Sequence, residues 1–191
     1  MTLPSVATPQ DWVAALETLR GEEERLARTR EAVIAARREL PMVEFGADHA
    51  FEGADGRTRL LDLFEGRGQL LVYHFWFEPG EEPCEGCSLW VSNLGDVANL
   101  HARDTTLALV SRAPVADIAA VRERRGLRVP WYSMAGEDFN AATGYVGAAQ
   151  ISVFVRDGDA VYRTYVTQGG KHLETLGNHW TLLELTPSGA G

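Results

Sequence analysis

From Trp12 to Val33 the apolar residues Trp12, Leu16, Leu19, Leu26 and Val33 keep roughly heptad spacing, and only Gly21 interrupts a helical pattern that runs to about Arg38. Thr8 reads as its N-cap, Pro9 as its first helical residue, and Asp11 follows three residues on. Glu22, Glu23, Glu24 and Arg25 break the apolar face, so the middle turns are solvated or cross to another surface. An amphipathic helix lying on its own domain is the simpler expectation, and an arm that packs on a second subunit, giving a homodimer, is the other. Pro41 stops this helix. Met42–Phe45, the segment around Phe51 and Thr58–Leu60 read as short strands with a tight turn at Ala54-Asp55-Gly56, followed by one helical turn at Leu60–Phe64.

The unbroken run Leu70–Phe77 predicts a strand covered on both faces, ended by Pro79-Gly80. Val91, Leu94, Val97 and Ala98 then recur at helical spacing and predict one helix reaching to near His101. Thr105–Ser111 is a second buried strand, Val115–Arg125 a helix closed by Gly126, and Val129–Ser133 a short third strand placed at a sheet edge by Pro130. Gly136–Gln150, rich in glycine and alanine, reads as loop. Ile151–Val155 and Val161–Val166 make a hairpin through Asp157-Gly158-Asp159, a last helix covers Lys171–Leu183, and Pro187–Gly191 is a frayed tail. The order β-α-β-α-β-β-α predicts an α/β fold, a mixed sheet flanked by helices, with a helical extension over residues 1–40 and one domain over 41–191.

Composition narrows the function. The chain has 191 residues, 45% of them hydrophobic, enough for one substantial core. Its formal net charge of −9 argues against nucleic acid or an anionic membrane surface as partner. The start lacks a signal-peptide pattern and no run reaches membrane-spanning length, so a cytoplasmic protein is expected. Its two cysteines, in a reducing compartment, point to redox or metal chemistry rather than to a structural staple.

Those cysteines, Cys84 and Cys87, stand three apart where the buried strand gives way to a helix. One helical turn brings their sulfurs within reach of a small disulfide ring. Unpaired N–H groups and the positive end of the helix dipole favour a thiolate on the first cysteine. Cys84 is therefore expected to attack a disulfide, and Cys87, in register with Val91 and Leu94 on the apolar stripe, to resolve the mixed disulfide. Glu78, Glu81, Glu82 and Glu85 crowd the pair and oppose thiolate formation, which favours a reducing couple.

Several stretches carry a family likeness. Phe51-Glu52-Gly53, Tyr73-His74-Phe75, the Cys-x-x-Cys, His101-Ala102-Arg103-Asp104, Val110-Ser111-Arg112-Ala113-Pro114, Pro130-Trp131, Asp138-Phe139-Asn140 and Ser152–Gly158 resemble a bacterial thioredoxin-like family of unknown function. That family is described as predicted dithiol–disulfide oxidoreductases, distantly similar to peroxiredoxins. The resemblance, covering about Pro41 to Pro187, implies a thioredoxin-like fold and a Cys84/Cys87 redox pair working on a protein or small-molecule disulfide. It also marks two departures. Thioredoxins have a cis-proline where this chain has Gln150, and a tryptophan before the first cysteine where it has Pro83. Trp76 and Trp90 could furnish an aromatic rim to a substrate groove with Gln150, although core packing is the simpler role for each tryptophan.

The sequence also admits two other readings. A thiol peroxidase would use Cys87, with Arg112 or Arg163 as candidates to stabilise thiolate and peroxide. A non-enzymatic metal protein would complete a Cys₂His₂ set with His74 and His101, although His74 on a buried strand reads as a satisfied core histidine. His172 and His179 read as surface residues of the last helix. No Ser–His–Asp set, phosphate loop or nucleotide fingerprint appears, so neither a cofactor nor a resident metal is expected.

Overall fold

The structure is a computed structural model that describes residues 4–134, 136–167, 173 and 175–186, with the backbone alone at 179 and 180. The expectations for His172, the side chain of His179, the first turn of the last helix and the tail from Pro187 lie outside the described residues. In chain order the elements are helix α1 (Pro9–Arg38), strands β1 (Val43–Phe45), β2 (Ala50–Gly53) and β3 (Gly56–Arg59), a 3₁₀ turn at Asp62–Phe64, and β4 (Gln69–His74). There follow α2 (Glu85–Ser92), α3 (Ala98–His101), β5 (Thr105–Ser111), α4 (Val115–Arg125), β6 (Trp131–Met134), α5 (Asp138–Thr143), β7 (Gln150–Asp157), β8 (Ala160–Val166) and α6 (Asn178–Leu183).

The eight strands form one mixed sheet in the order β1-β8-β7-β4-β5-β6-β2-β3. β4, β5 and β6 run parallel at its centre, and β7 pairs antiparallel with the other side of β4. Burial on both faces explains why β4 and β5 read as continuous apolar runs. One face packs Tyr73, Phe75, Leu107, Leu109 and Trp131 against Cys87, Trp90 and Val91 of α2 and Ile118 and Val121 of α4. The other packs Leu70, Val72, Ala108, Val110 and Phe154 against Phe51, Leu63, Phe64 and Phe139.

The expected helix start is confirmed, since Thr8 caps α1 through its side chain and Pro9 opens it. Four other expectations change. The helix after the cysteines is two pieces, because Gly95 takes a left-handed φ of 68° between Ser92 and Ala98. β6 is interior, hydrogen-bonded to both β5 and β2, because Pro130 precedes the strand and contributes only its carbonyl, to the Leu109 N–H. The glycine-rich stretch from Gly136 holds α5, whose Phe139 and Asn140 are buried. Finally, α1 does not lie on the domain: none of its residues is buried. It is tied down at its end, where Arg37 sits 4.5 Å over the Tyr165 ring and β1 joins β8.

Phe139 is the hub of the second core. Its ring contacts those of Phe51 at 5.0 Å, His74 at 5.5 Å, Phe45 at 6.0 Å and Phe154 at 6.2 Å. Phe139→Ala is expected to cost about 3–5 kcal/mol, read as a lower urea midpoint with unchanged slope.

His74 is 1% exposed, with its ring stacked between Phe139 and Tyr145 and Nε2 3.0 Å from Ser152 Oγ. Burial holds the imidazole neutral, pushing its pKa down to about 3, and the Asn140 amide opposes that shift. Neither His74 Nδ1 nor Asn140 Oδ1 completes a hydrogen bond of good geometry. Because the unfolded chain takes up this proton first, the stability His74 contributes is full above pH 6.5 and is lost as the pH falls toward 3. Wild type should therefore lose stability between pH 6.5 and 5 by up to about 1.4 kcal/mol per unit more than His74→Phe. Urea midpoints that fall in parallel for the two proteins would refute this.

Candidate functional site

β4 leads directly to the cysteines. After His74 the chain leaves the sheet while Phe75 N–H still reaches Val110 O, and the loop that follows is closed by Cys84 N–H donating to Trp76 O at 3.1 Å. Pro83 is buried. Cys84 is then the N-cap of α2, and its sulfur takes the place of a capping oxygen by accepting from the Cys87 N–H at 3.3 Å. The Cys84 carbonyl accepts both the N–H and the hydroxyl of Ser88, at 2.9 and 2.8 Å, so the start of α2 is held rigidly.

The two thiols differ in exposure. Cys84 is half-buried, Cys87 is 2% exposed, and both are free thiols. Burial pushes the Cys87 thiol up to about 11, reinforced by the Cys84 contact and opposed by donors from the Tyr73 hydroxyl and the Trp76 backbone N–H.

Two tyrosines that the sequence did not mark belong to this site. Tyr73 stacks on Trp90 with ring centres 4.6 Å apart, and its phenol, raised well above the ordinary tyrosine range chiefly by burial, bonds Cys87. A phenol inside a buried strand needs a polar partner, and that requirement was the available signal. Tyr145, on the loop after α5, is raised to about 12 by burial and then by the nearness of Cys87, Glu78 and Cys84. Its ring is fixed by stacking on His74 at 5.1 Å. No local pattern announced it.

The other anticipated residues divide. Trp76 is 44% exposed beside the dithiol, whereas Trp90 is buried with its Nε1–H donating to Leu173 O at 3.1 Å. Gln150 is also buried and donates to Ser152 Oγ at 3.3 Å, and the bond before it is trans. Of these three, Trp76 alone is exposed. Arg112 pairs with Glu78 at 3.4 Å and with Glu137 at 2.6 Å, and Arg124 approaches Glu82 at 3.8 Å, so two of the four glutamates expected to crowd the pair have cationic partners. Arg163 lies near Phe45 in the second core and donates to Ala142 O. His74 turns its ring to that same face, away from the sulfurs, and among the described residues no three His, Cys, Asp or Glu side chains cluster as metal ligands.

Solved structures share the architecture. A putative thiol:disulfide interchange protein DsbE from Chlorobium tepidum superposes with a TM-score of 0.53 at 16% identity, covering 72% of this chain and 94% of that one. A peroxiredoxin Q from Xanthomonas campestris gives 0.52 at 14% identity over 72% and 94%, and PrxQ from Xylella fastidiosa gives 0.52 at 13% over 75% and 97%. At these identities the likeness establishes a thioredoxin-like fold. No described helix is long and apolar enough to cross a membrane. No functionally curated protein matches in sequence. A family description matches residues 1–191 from end to end, and the chain belongs to that family, the bacterial proteins of unknown function DUF899.

Proposed function

We propose that this protein is a cytoplasmic dithiol–disulfide oxidoreductase in which Cys84 attacks and Cys87 resolves. The observation that carries the reading is the asymmetry of the pair: a half-buried cysteine at a helix N-cap, whose sulfur accepts from the Cys87 N–H, beside a buried cysteine whose thiol is pushed up. The Cys84 thiolate attacks one sulfur of a partner disulfide, forming a mixed disulfide and expelling the partner's other thiolate. Cys87 then loses its proton and attacks Cys84 Sγ, forming the Cys84–Cys87 disulfide and releasing the second partner thiolate. Two electrons pass from the protein dithiol to the partner, and the reverse sequence oxidises a partner dithiol. Tyr73 and the Trp76 N–H stabilise the Cys87 thiolate formed during resolution. The partner is a protein or small-molecule disulfide admitted between Trp76 and Tyr145.

A peroxidase centred on Cys87 fits less well, because burial disfavours its thiolate and Arg112 and Arg163 are engaged elsewhere. Cys87→Ala should accumulate a mixed disulfide on Cys84 with a model disulfide, visible by mass spectrometry, whereas Cys84→Ser should give none. Peroxide consumption that survives Cys84→Ser would instead establish the peroxidase.

Tyr73→Phe keeps the stack on Trp90 but deletes a donor to the Cys87 thiolate. Resolution should slow about tenfold near neutral pH, the equivalent of one unit in the Cys87 pKa, and its pH profile should move to higher pH. An unshifted profile would remove Tyr73 from the mechanism.

A further inference from the structure

We infer that α1 is a self-association arm, pairing antiparallel with the same helix of a second copy of this chain. A helix of 30 residues spans about 45 Å, and helices in water draw most of their stability from packing an amphipathic face. Yet α1 buries no residue. Trp12, Leu19, Leu26 and Val33 recur at intervals of seven and are 60%, 52%, 69% and 50% exposed. A strict seven-residue repeat is the pattern that keeps a seam facing one partner helix.

The charges choose the partner and its direction. From Pro9 to Glu24 the helix carries five acidic residues against Arg20 alone, and from Arg25 to Arg38 five arginines against Glu31 alone. Side by side and parallel, two copies would set acid against acid and base against base. Antiparallel, each acidic half lies along the partner's basic half, and the twofold arrangement closes at two chains. The helix dipole does not account for this segregation, because its influence fades within the first and last turns while Glu22, Glu23 and Glu24 sit halfway along. Arg37 over Tyr165 and the β1–β8 pairing anchor the end of the arm, leaving the seam free.

Light scattering on the reduced full chain at tens of micromolar should give twice the 21.0 kDa of one chain. Leu19→Glu with Leu26→Glu should bring the mass down to that of one chain while Cys84 stays reactive toward a thiol reagent. Glu22→Lys/Glu23→Lys/Glu24→Lys and Arg25→Glu/Arg28→Glu/Arg30→Glu should each be monomeric alone and restore a dimer when mixed in equal amounts. That rescue separates a lost interface from a lost fold. A monomeric wild type, a dimer indifferent to the Leu19/Leu26 change, or charge variants that each still dimerise alone would overturn the proposal.

Discussion

The two-residue period of β4 is the constraint on which the site depends. The strand is paired on both edges and covered on both faces, so each successive side chain must enter a different core. Leu71, Tyr73 and Phe75 go to the face of α2, while Leu70, Val72 and His74 go to the face of Phe139. Tyr73 therefore meets Cys87 directly. His74 acts at one remove, as the plate on which Tyr145 lies, and Tyr145 comes near the sulfurs from the other side. A one-residue slip would put the phenol among phenylalanines and the imidazole against the dithiol, exchanging a donor to sulfur for a buried base.

The same geometry separates the two thiols without any difference in their chemistry. The N-cap position puts Cys84 where the helix has N–H groups to spare and a surface to face, and the first turn of α2 carries Cys87 into the core beside Trp90 and Val91. Desolvation acts on Cys87 continuously. The donors that offset it, Tyr73 O–H and Trp76 N–H, come from β4 and from the loop that β4 feeds. The order of events proposed for the pair is thus a consequence of where one helix starts relative to one strand.

Much of this was legible in the sequence, for physical reasons. β5 and α4 were bounded correctly because β-branched runs, Pro114 and Gly126 are strong local signals, and Thr8 and Pro9 fixed the start of α1. The apolar spacing from Val91 to Ala98 continued past the real break, since periodicity does not register one glycine in a left-handed conformation. Pro130 suggested an edge because a proline within a strand costs a donor, but it stands one residue before β6, where no donor is needed. α5 was hidden by composition: its helix is short, and the burial of Phe139 comes from partners on β1, β2 and β7 that are distant in sequence. With α5 unseen, Tyr145 had nothing to position it. The glutamates were visible and their arginine partners were not, because Arg112 and Arg124 come from the β5–α4 region.

The end of β7 shows what Gln150 does for the site. Gln150 pairs across β4 with His74, and the next residue, Ile151, has both backbone groups taken by Thr167: its N–H by the hydroxyl at 2.8 Å and its carbonyl by the Thr167 N–H at 2.9 Å. A partner strand arriving beside the dithiol would find no free backbone group at Ile151. The Gln150 amide is likewise turned inward to Ser152, joining the polar cluster that holds His74. What this position contributes is therefore indirect. It braces the histidine that braces Tyr145, and in the proposed mechanism it leaves contact with a partner disulfide to side chains, Trp76 and Tyr145 among them, rather than to an exposed length of main chain.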